Sequence, residues 1–182
     1  MPMIDFTYPE GALEPDALAE TVERLTEALL RNEAGADNDR IRAIAWTFVH
    51  PQPAGSIFGG GKAADARYYR VQLTVPEGTL VHGPGPFALQ ARHNLIREVT
   101  EIVLDAEGSP YTDANLARVW CFITEVKEGF WGGLGTVFGI EDIAGFANDE
   151  LPATKLSERA RAALGEHQAK LGQAAEVPPP FN

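Results

Sequence analysis

Residues 7–13 read Thr-Tyr-Pro-Glu-Gly-Ala-Leu, and residues 74–80 read Thr-Val-Pro-Glu-Gly-Thr-Leu. The two stretches agree at five of seven positions and lie 67 residues apart. Repetition of this kind within one chain indicates a structural unit that is present twice. Pro-Glu-Gly is typical of a turn, so each copy is expected to end a strand.

A strand pattern precedes each copy of the turn, and a helix pattern follows it. Before the turns, apolar residues recur at every second position, at Ile4, Phe6 and Tyr8 and again at Val71, Leu73 and Val75. This period is typical of a strand with one buried face. After the turns, apolar residues recur three and four apart, at Leu18, Val22, Leu25 and Leu29 and again at Leu95, Val99, Ile102 and Val103. Pro15 suits a first helical position, and Gly35 and Gly108 suit positions just after helix ends.

Another apolar strand is predicted after each helix, over residues 41–49 and 118–126, and a glycine-rich hairpin after each strand. The fold class predicted is therefore α+β, with two tandem β-α-β units joined edge to edge into one four-stranded sheet. Within each unit the two strands are expected to be parallel, with both helices on one sheet face. The other sheet face is expected to be apolar, which a symmetric oligomer would cover.

The predicted boundaries are residues 1–66 for the first unit, 67–147 for the second and 148–182 for a tail. An amphipathic helix ending at Gly172 is expected in the tail, because Leu156, Ala160, Leu164 and Leu171 are suitably spaced. The run of prolines at 178–180 cannot continue a helix. The function of the tail is not evident from its residues.

Composition excludes several classes of function. The formal net charge of −11 disfavours nucleic acid as a partner. No apolar run reaches the roughly 18 residues that span a membrane, and the first residues lack a basic signal region, so we expect no membrane association and a cytoplasmic location. The single cysteine, Cys121, lies in an apolar run and is expected to be a buried hydrophobe. No Cys/His cluster has metal-ligand spacing and no phosphate-binding loop is present, so neither a metal nor a cofactor is predicted.

The doubled β-α-β pattern, the proline directly after Met1 and the acidic-glycine turns resemble the tautomerase superfamily. The second half is similar to 4-oxalocrotonate tautomerase at residues 95–99 and 123–125 and in the hairpin after Lys127. The first half resembles the cis-3-chloroacrylate dehalogenase branch, also a fused doublet, at residues 52–60. The resemblance covers about residues 2–143, and it implies a trimer of the fused chain.

The resemblance also implies that Pro2, freed by removal of Met1, is the catalytic base. An α-amino group has a pKa near ~8, and burial in an apolar pocket lowers that pKa toward neutrality, where a base is an effective proton shuttle. The position that matches Pro2 in the second half is Tyr69, whose nitrogen is an amide. One amine site per chain is therefore expected.

The chain departs from the family pattern at the cations. The arginine after the acidic-glycine turn is replaced by Ala12 and Thr79, and the strand arginine by Trp120 and, roughly, Ala45. The dehalogenase histidine, tyrosine and glutamate are matched by Leu29, Phe122 and a glycine near Gly132. Dehalogenation is therefore not expected. The residues predicted to bind substrate are Arg70 and His82 as replacement cations, and Phe122 and Trp131 as pocket aromatics.

The sequence thus predicts an isomerase, a keto-enol tautomerase that uses Pro2 on a small 2-oxo acid or enol substrate. One alternative is a non-catalytic trimeric scaffold or small-ligand binder, which the missing arginines favour. A second is a hydratase or decarboxylase, that is, a lyase, acting on a small carboxylic acid. The only partners predicted are this small carboxylate and two further copies of the chain.

Overall fold

The computed structural model describes residues 2–33, 37–80 and 86–147. Strands β1 (Met3–Pro9) and β5 (Tyr69–Pro76) lie antiparallel at the centre of a four-stranded sheet. The outer strands are β2 (Trp46–Gln52), parallel to β1, and β6 (Val119–Val126), parallel to β5. The order β2-β1-β5-β6 confirms the predicted α+β fold with two joined β-α-β units.

The crossover helices are α1 (Pro15–Glu33) and α3 (Pro86–Glu107), which pack against each other. Helix α1 begins at Pro15 as predicted, and Gly108 follows α3 with a φ of +70°, a left-handed conformation that glycine adopts without strain. Gly35, predicted to follow α1, lies outside the described residues.

One hydrophobic core serves both halves, because the helices cover the same face of the sheet. The alternating residues of β1 and β5 are buried in it together with the apolar faces of α1 and α3, including Ile4, Phe6, Val71, Leu73, Leu25, Leu29, Val99 and Val103. The two β-α-β units therefore form one compact unit up to Val126 rather than two separate ones.

The opposite sheet face differs from the uniformly apolar surface that was predicted. Its outer strands carry exposed aromatic pairs, Trp46 with Phe48 on β2 and Trp120 with Phe122 on β6. Its central strands are instead polar, with Asp5, Thr7, Gln72 and Thr74 on this face. The apolar surface is therefore confined to two aromatic patches, one at each sheet edge.

The predicted strand over residues 41–49 starts too early. Residues 39–44 form a short helix, α2 (Asp39–Ile44), because the Asn38 side chain caps it by accepting hydrogen bonds from the Arg40 and Ile41 amides. Strand β2 then starts at Trp46. The register Met3↔Trp46 and Arg70↔Trp120 makes Trp46, rather than Ala45, the counterpart of Trp120.

Three short elements complete the compact unit that ends at Val126. Strands β3 (Phe58–Gly59) and β4 (Lys62–Ala63) form the predicted first hairpin. Helix α4 (Asp113–Leu116) precedes β6 and is capped by Thr112. Among the described residues, no helix has the length and apolar character needed to cross a membrane.

A second compact unit begins at Lys127. It contains the predicted second hairpin, β7 (Trp131–Gly133) with β8 (Thr136–Phe138), and a helix, α5 (Ile140–Ala147). The Glu128 carboxylate accepts a hydrogen bond from the Ile140 amide at the start of α5. The predicted tail helix, within residues 148–182, lies outside the described residues.

Candidate active site

Pro2 is buried at the start of β1. Its carbonyl oxygen accepts a hydrogen bond of 3.3 Å from the Trp46 amide, so the residue is fixed to β2 before β1 begins. In the antiparallel register Met3 pairs with Thr74, which places Pro2 beside the end of β5. The Pro-Glu-Gly turn that follows β5, with Thr79 bonded to Pro76, therefore borders Pro2.

Glu33, the last residue of α1, contributes a carboxyl group to this end of the sheet. Its Oε2 is shielded from solvent and has no hydrogen-bond partner among the residues that the structure describes. Burial raises the pKa of this carboxyl, while the positive amino terminus and a polar contact with Thr79 partly offset the rise. Sequence analysis missed Glu33, since a polar residue at a helix end is ordinary; only the three-dimensional proximity to the amino terminus distinguishes it.

The equivalent place in the second half is occupied by Tyr69, which is buried at the start of β5. Beside it lies an ion pair between Glu107, at the end of α3, and Arg118, in which both guanidinium Nη atoms contact the carboxylate at 3.0 and 2.5 Å. Burial raises the pKa of Glu107, but hydrogen bonds from Arg118 and Ser109 outweigh it and bring that pKa to about 2. Burial and the nearby Glu107 charge raise the pKa of Tyr69. Tyr69, Glu107 and Arg118 therefore form a cluster with a structural role at this end of the second half.

Arg70 and Phe122 lie together on the exposed sheet face, with the guanidinium carbon 5.7 Å from the centre of the ring. They line a cavity of about 430 Å³ whose walls are mostly aromatic and aliphatic. Its other lining residues come from β1, the first hairpin and the strand ends: Thr7, Gln52, Ser56, Ile57, Phe58, Gly59, Tyr68, Tyr69 and Trp120.

A single chain does not bring Arg70 and Pro2 together. Arg70 pairs with Thr7 in the register of β1 and β5, and Thr7 is five residues beyond Pro2. At about 3.3 Å per strand residue, the two sites are on the order of 16 Å apart. Any site that contains both residues therefore needs a second copy of the chain.

The remaining predicted residues are placed as follows. Trp131 belongs to the second unit, where it is buried and its indole Nε1 has no hydrogen-bond partner. His82 lies outside the described residues. Leu29, at the place of the dehalogenase histidine, is a core residue.

The described side chains also bear on two other kinds of chemistry, metal binding and nucleophilic attack by a cysteine. Among residues 2–33, 37–80 and 86–147, no group of three His, Cys, Asp or Glu side chains is arranged to hold a metal ion. Burial raises the pKa of the Cys121 thiol to about 12, so this residue is a poor nucleophile at neutral pH.

No protein-family model matches the sequence, and no curated protein sequence matches it. Solved structures do match. N1, a member of the cis-3-chloroacrylic acid dehalogenase family, superposes with a TM-score of 0.63 at 16% identity, covering 88% of this chain and 99% of its own. A native fused 4-oxalocrotonate tautomerase (4-OT) superposes with a TM-score of 0.57 at 19% identity, covering 74% of this chain and 94% of its own.

Pt0534, a protein solved after inactivation by 2-oxo-3-pentynoate, superposes with a TM-score of 0.59 at 16% identity, covering 78% of this chain and 98% of its own. At these identities the likeness concerns the fold. The chain has the tautomerase-superfamily fold, as its sequence resemblance predicted.

Proposed function

We propose that the chain is a tautomerase-type enzyme in which the Pro2 amine, exposed by removal of Met1, is the general base. The observation that carries this proposal is the burial of Pro2 at the start of β1. Burial disfavours the ammonium form, which lowers the pKa of an amine toward the working pH. A carboxyl group, that of Glu33, lies at the same end of the sheet.

The substrate class we propose is a small 2-oxo acid or its enol. The amine removes a proton from the carbon beside a carbonyl and returns it elsewhere, so the transition state carries negative charge on oxygen. Inactivation of the similar fold Pt0534 by 2-oxo-3-pentynoate supports a 2-oxo acid as the first class to test. Hydration or decarboxylation of a small carboxylic acid would use the same amine.

We further propose a homotrimer, in which the cation of one chain serves the Pro2 site of another. Fused 4-OT proteins of the same fold are described as trimers. The exposed aromatic pairs at the two sheet edges offer apolar surface for such contacts. In this arrangement Arg70, too distant from Pro2 within its own chain, is available to bind a substrate carboxylate.

The experiment that tests the amine is covalent labelling by 2-oxo-3-pentynoate, followed by peptide mass spectrometry. We expect intact protein to lack Met1 and the label to be confined to the Pro2 nitrogen at stoichiometric dose. Pro2→Ala should lose most turnover of an enolpyruvate while keeping the fold. Cys121→Ser is the matched control and should label like wild type. Retention of Met1, label on Lys62 or Cys121, or full turnover by Pro2→Ala would end the proposal.

A non-catalytic ligand binder is the second candidate, favoured by the aromatic cavity at Arg70. Ala12 and Thr79 stand where the family has arginines, so neither position offers Pro2 a cation to hold a carboxylate. Under this alternative, Arg70→Gln would weaken binding of a small carboxylate by calorimetry, and Pro2→Ala would leave that binding unchanged.

A further inference from the structure

We propose that Glu33 is the acid partner of Pro2: its carboxyl group protonates the substrate's carbonyl oxygen while the Pro2 amine takes a proton from the adjacent carbon. This inference rests on the proposed function of Pro2. It assigns to the same site a second catalytic residue, one that supplies the electrophilic role for which the family arginines are missing at Ala12 and Thr79.

The location of Glu33 follows from the ends of three elements. Helix α1 ends at Glu33, β1 starts just after Pro2, and β5 ends at Pro76 in the turn that includes Thr79. The Glu33 carboxyl has a polar contact with Thr79, in the turn that borders Pro2, and the positive amino terminus lowers its pKa. Among residues 2–33, 37–80 and 86–147, no charged side chain perturbs the pKa of this carboxyl.

Comparison of the two halves shows that this environment is specific to Pro2. Glu107 lies 74 positions after Glu33, at the end of the equivalent helix, and Arg118 lies 74 positions after Ile44. In the second half Arg118 neutralises the glutamate. In the first half that position is the apolar Ile44, so Glu33 lacks the guanidinium that Glu107 has.

A purely structural role does not account for the Glu33 carboxyl. A carboxylate at a helix C-terminus is disfavoured by the helix dipole. A buried oxygen without a hydrogen-bond partner also costs free energy, since its hydration is lost and nothing replaces it. Both effects favour the protonated carboxyl, which is a hydrogen-bond donor, and a neutral carboxylic acid in such a site can stabilise an oxyanion.

The chemical step is balanced with these two groups alone. The neutral Pro2 nitrogen takes the proton from the carbon beside the carbonyl, and the electron pair of that C–H bond forms a C=C bond. The carbonyl oxygen receives the Glu33 proton, which leaves an enol, a Pro2 ammonium and a Glu33 carboxylate. In the reverse direction the carboxylate takes the enol proton back, and the ammonium protonates carbon.

The test compares Glu33→Gln with Glu20→Gln, a control at an exposed glutamate on the same helix. Turnover of a 2-oxo acid, followed from the keto form as deuterium exchange at the carbon beside its carbonyl, and the rate of Pro2 labelling by 2-oxo-3-pentynoate are each measured against pH. We expect Glu33→Gln to lower kcat/KM by about 100-fold, as for loss of a general acid. The control should retain the wild-type rate, and thermal unfolding should show that both variants are folded.

The pH dependence separates a catalytic role from a structural one. Wild-type turnover should fall at low pH, where Pro2 is protonated, and at high pH, where Glu33 has lost its proton. Glu33→Gln should lose the fall at high pH. Its Pro2 labelling should keep the wild-type midpoint, because Glu33 is still a neutral acid at the pH where Pro2 loses its proton.

A high-pH fall in turnover that Glu33→Gln leaves unchanged, with Pro2 still labelled, would overturn the role of Glu33 and leave the Pro2 proposal standing. Failure of wild-type Pro2 to label at all would instead reject the proposed function, and the role of Glu33 with it.

Discussion

Replacement of Arg118 by alanine should strongly destabilise the fold, because it leaves the carboxylate of Glu107 buried without its cation. The Glu107 and Arg118 side chains are only 4% and 12% exposed, and the guanidinium makes two contacts with the carboxylate. Removal of one partner from a buried pair costs about 3–5 kcal/mol. Arg67 cannot compensate, because its Nη1 lies 3.7 Å from the Glu107 Oε1 and its side chain is about half exposed.

The lowered pKa of Glu107 also indicates how much the ion pair contributes to the free energy of unfolding. The pKa of Glu107 in the folded chain, about 2, lies below the ordinary glutamate value of 4.5. A pKa depressed on folding contributes stability that is present above pH 4.5 and is lost as the pH falls toward 2. At 1.36 kcal/mol per unit, the contribution is about 3 kcal/mol, which agrees with the cost expected for the truncation.

The assay is urea unfolding followed by circular dichroism, at pH 7 and at pH 3. Arg24→Ala is the matched control, since its pair with Asp105 is 37% and 40% exposed and should contribute about 1 kcal/mol or less. The difference between Arg118→Ala and wild type should shrink at pH 3, because wild type loses most of its own contribution there. A loss at pH 7 no larger than that of Arg24→Ala would refute the reasoning.

The remaining predictions concern the thiol and the assembly. Cys121 should react with a disulfide reagent at pH 8 only after unfolding, because burial raises its pKa to about 12; rapid reaction of folded protein in a stopped-flow assay would contradict this. Trp120→Gln, at an exposed aromatic patch, should raise the dissociation constant of the trimer at least tenfold while the monomer stays folded, as followed by light scattering. Ile96→Gln, at an exposed position of α3 on the helix side of the sheet, is the comparison and should leave the trimer intact. A wild-type chain that stays monomeric at micromolar concentration would contradict the assembly.

The elements that repeat were predictable from the sequence. Alternation at Ile4, Phe6 and Tyr8, and again at Val71, Leu73 and Val75, indicated both central strands, since period two has no other simple cause. The helix at 39–44 was missed because its stabilising feature is one side-chain cap, at Asn38, within an apolar run that also suits a strand.

The candidate site was only partly predictable, because its key relations join residues distant in sequence. The resemblance indicated Pro2, and the repeat showed that Tyr69 lacks an amine. Neither pattern could show that Glu33 is shielded and lacks a cationic side chain among the described residues while Glu107 pairs with Arg118, since both glutamates end similar helices. The separation of Arg70 from Pro2 likewise required the strand register.

The burial of Pro2, directly before the first residue of β1, has a practical consequence for recombinant material. An affinity tag fused before Pro2 would turn its nitrogen into an amide, the state that Tyr69 occupies in the other half of the same chain. Such a preparation would fold, since the Tyr69 half shows that the strand tolerates a preceding residue, and yet it would be inert under the amine mechanism. Purification with a carboxy-terminal or cleavable tag is therefore required before any negative assay is interpreted.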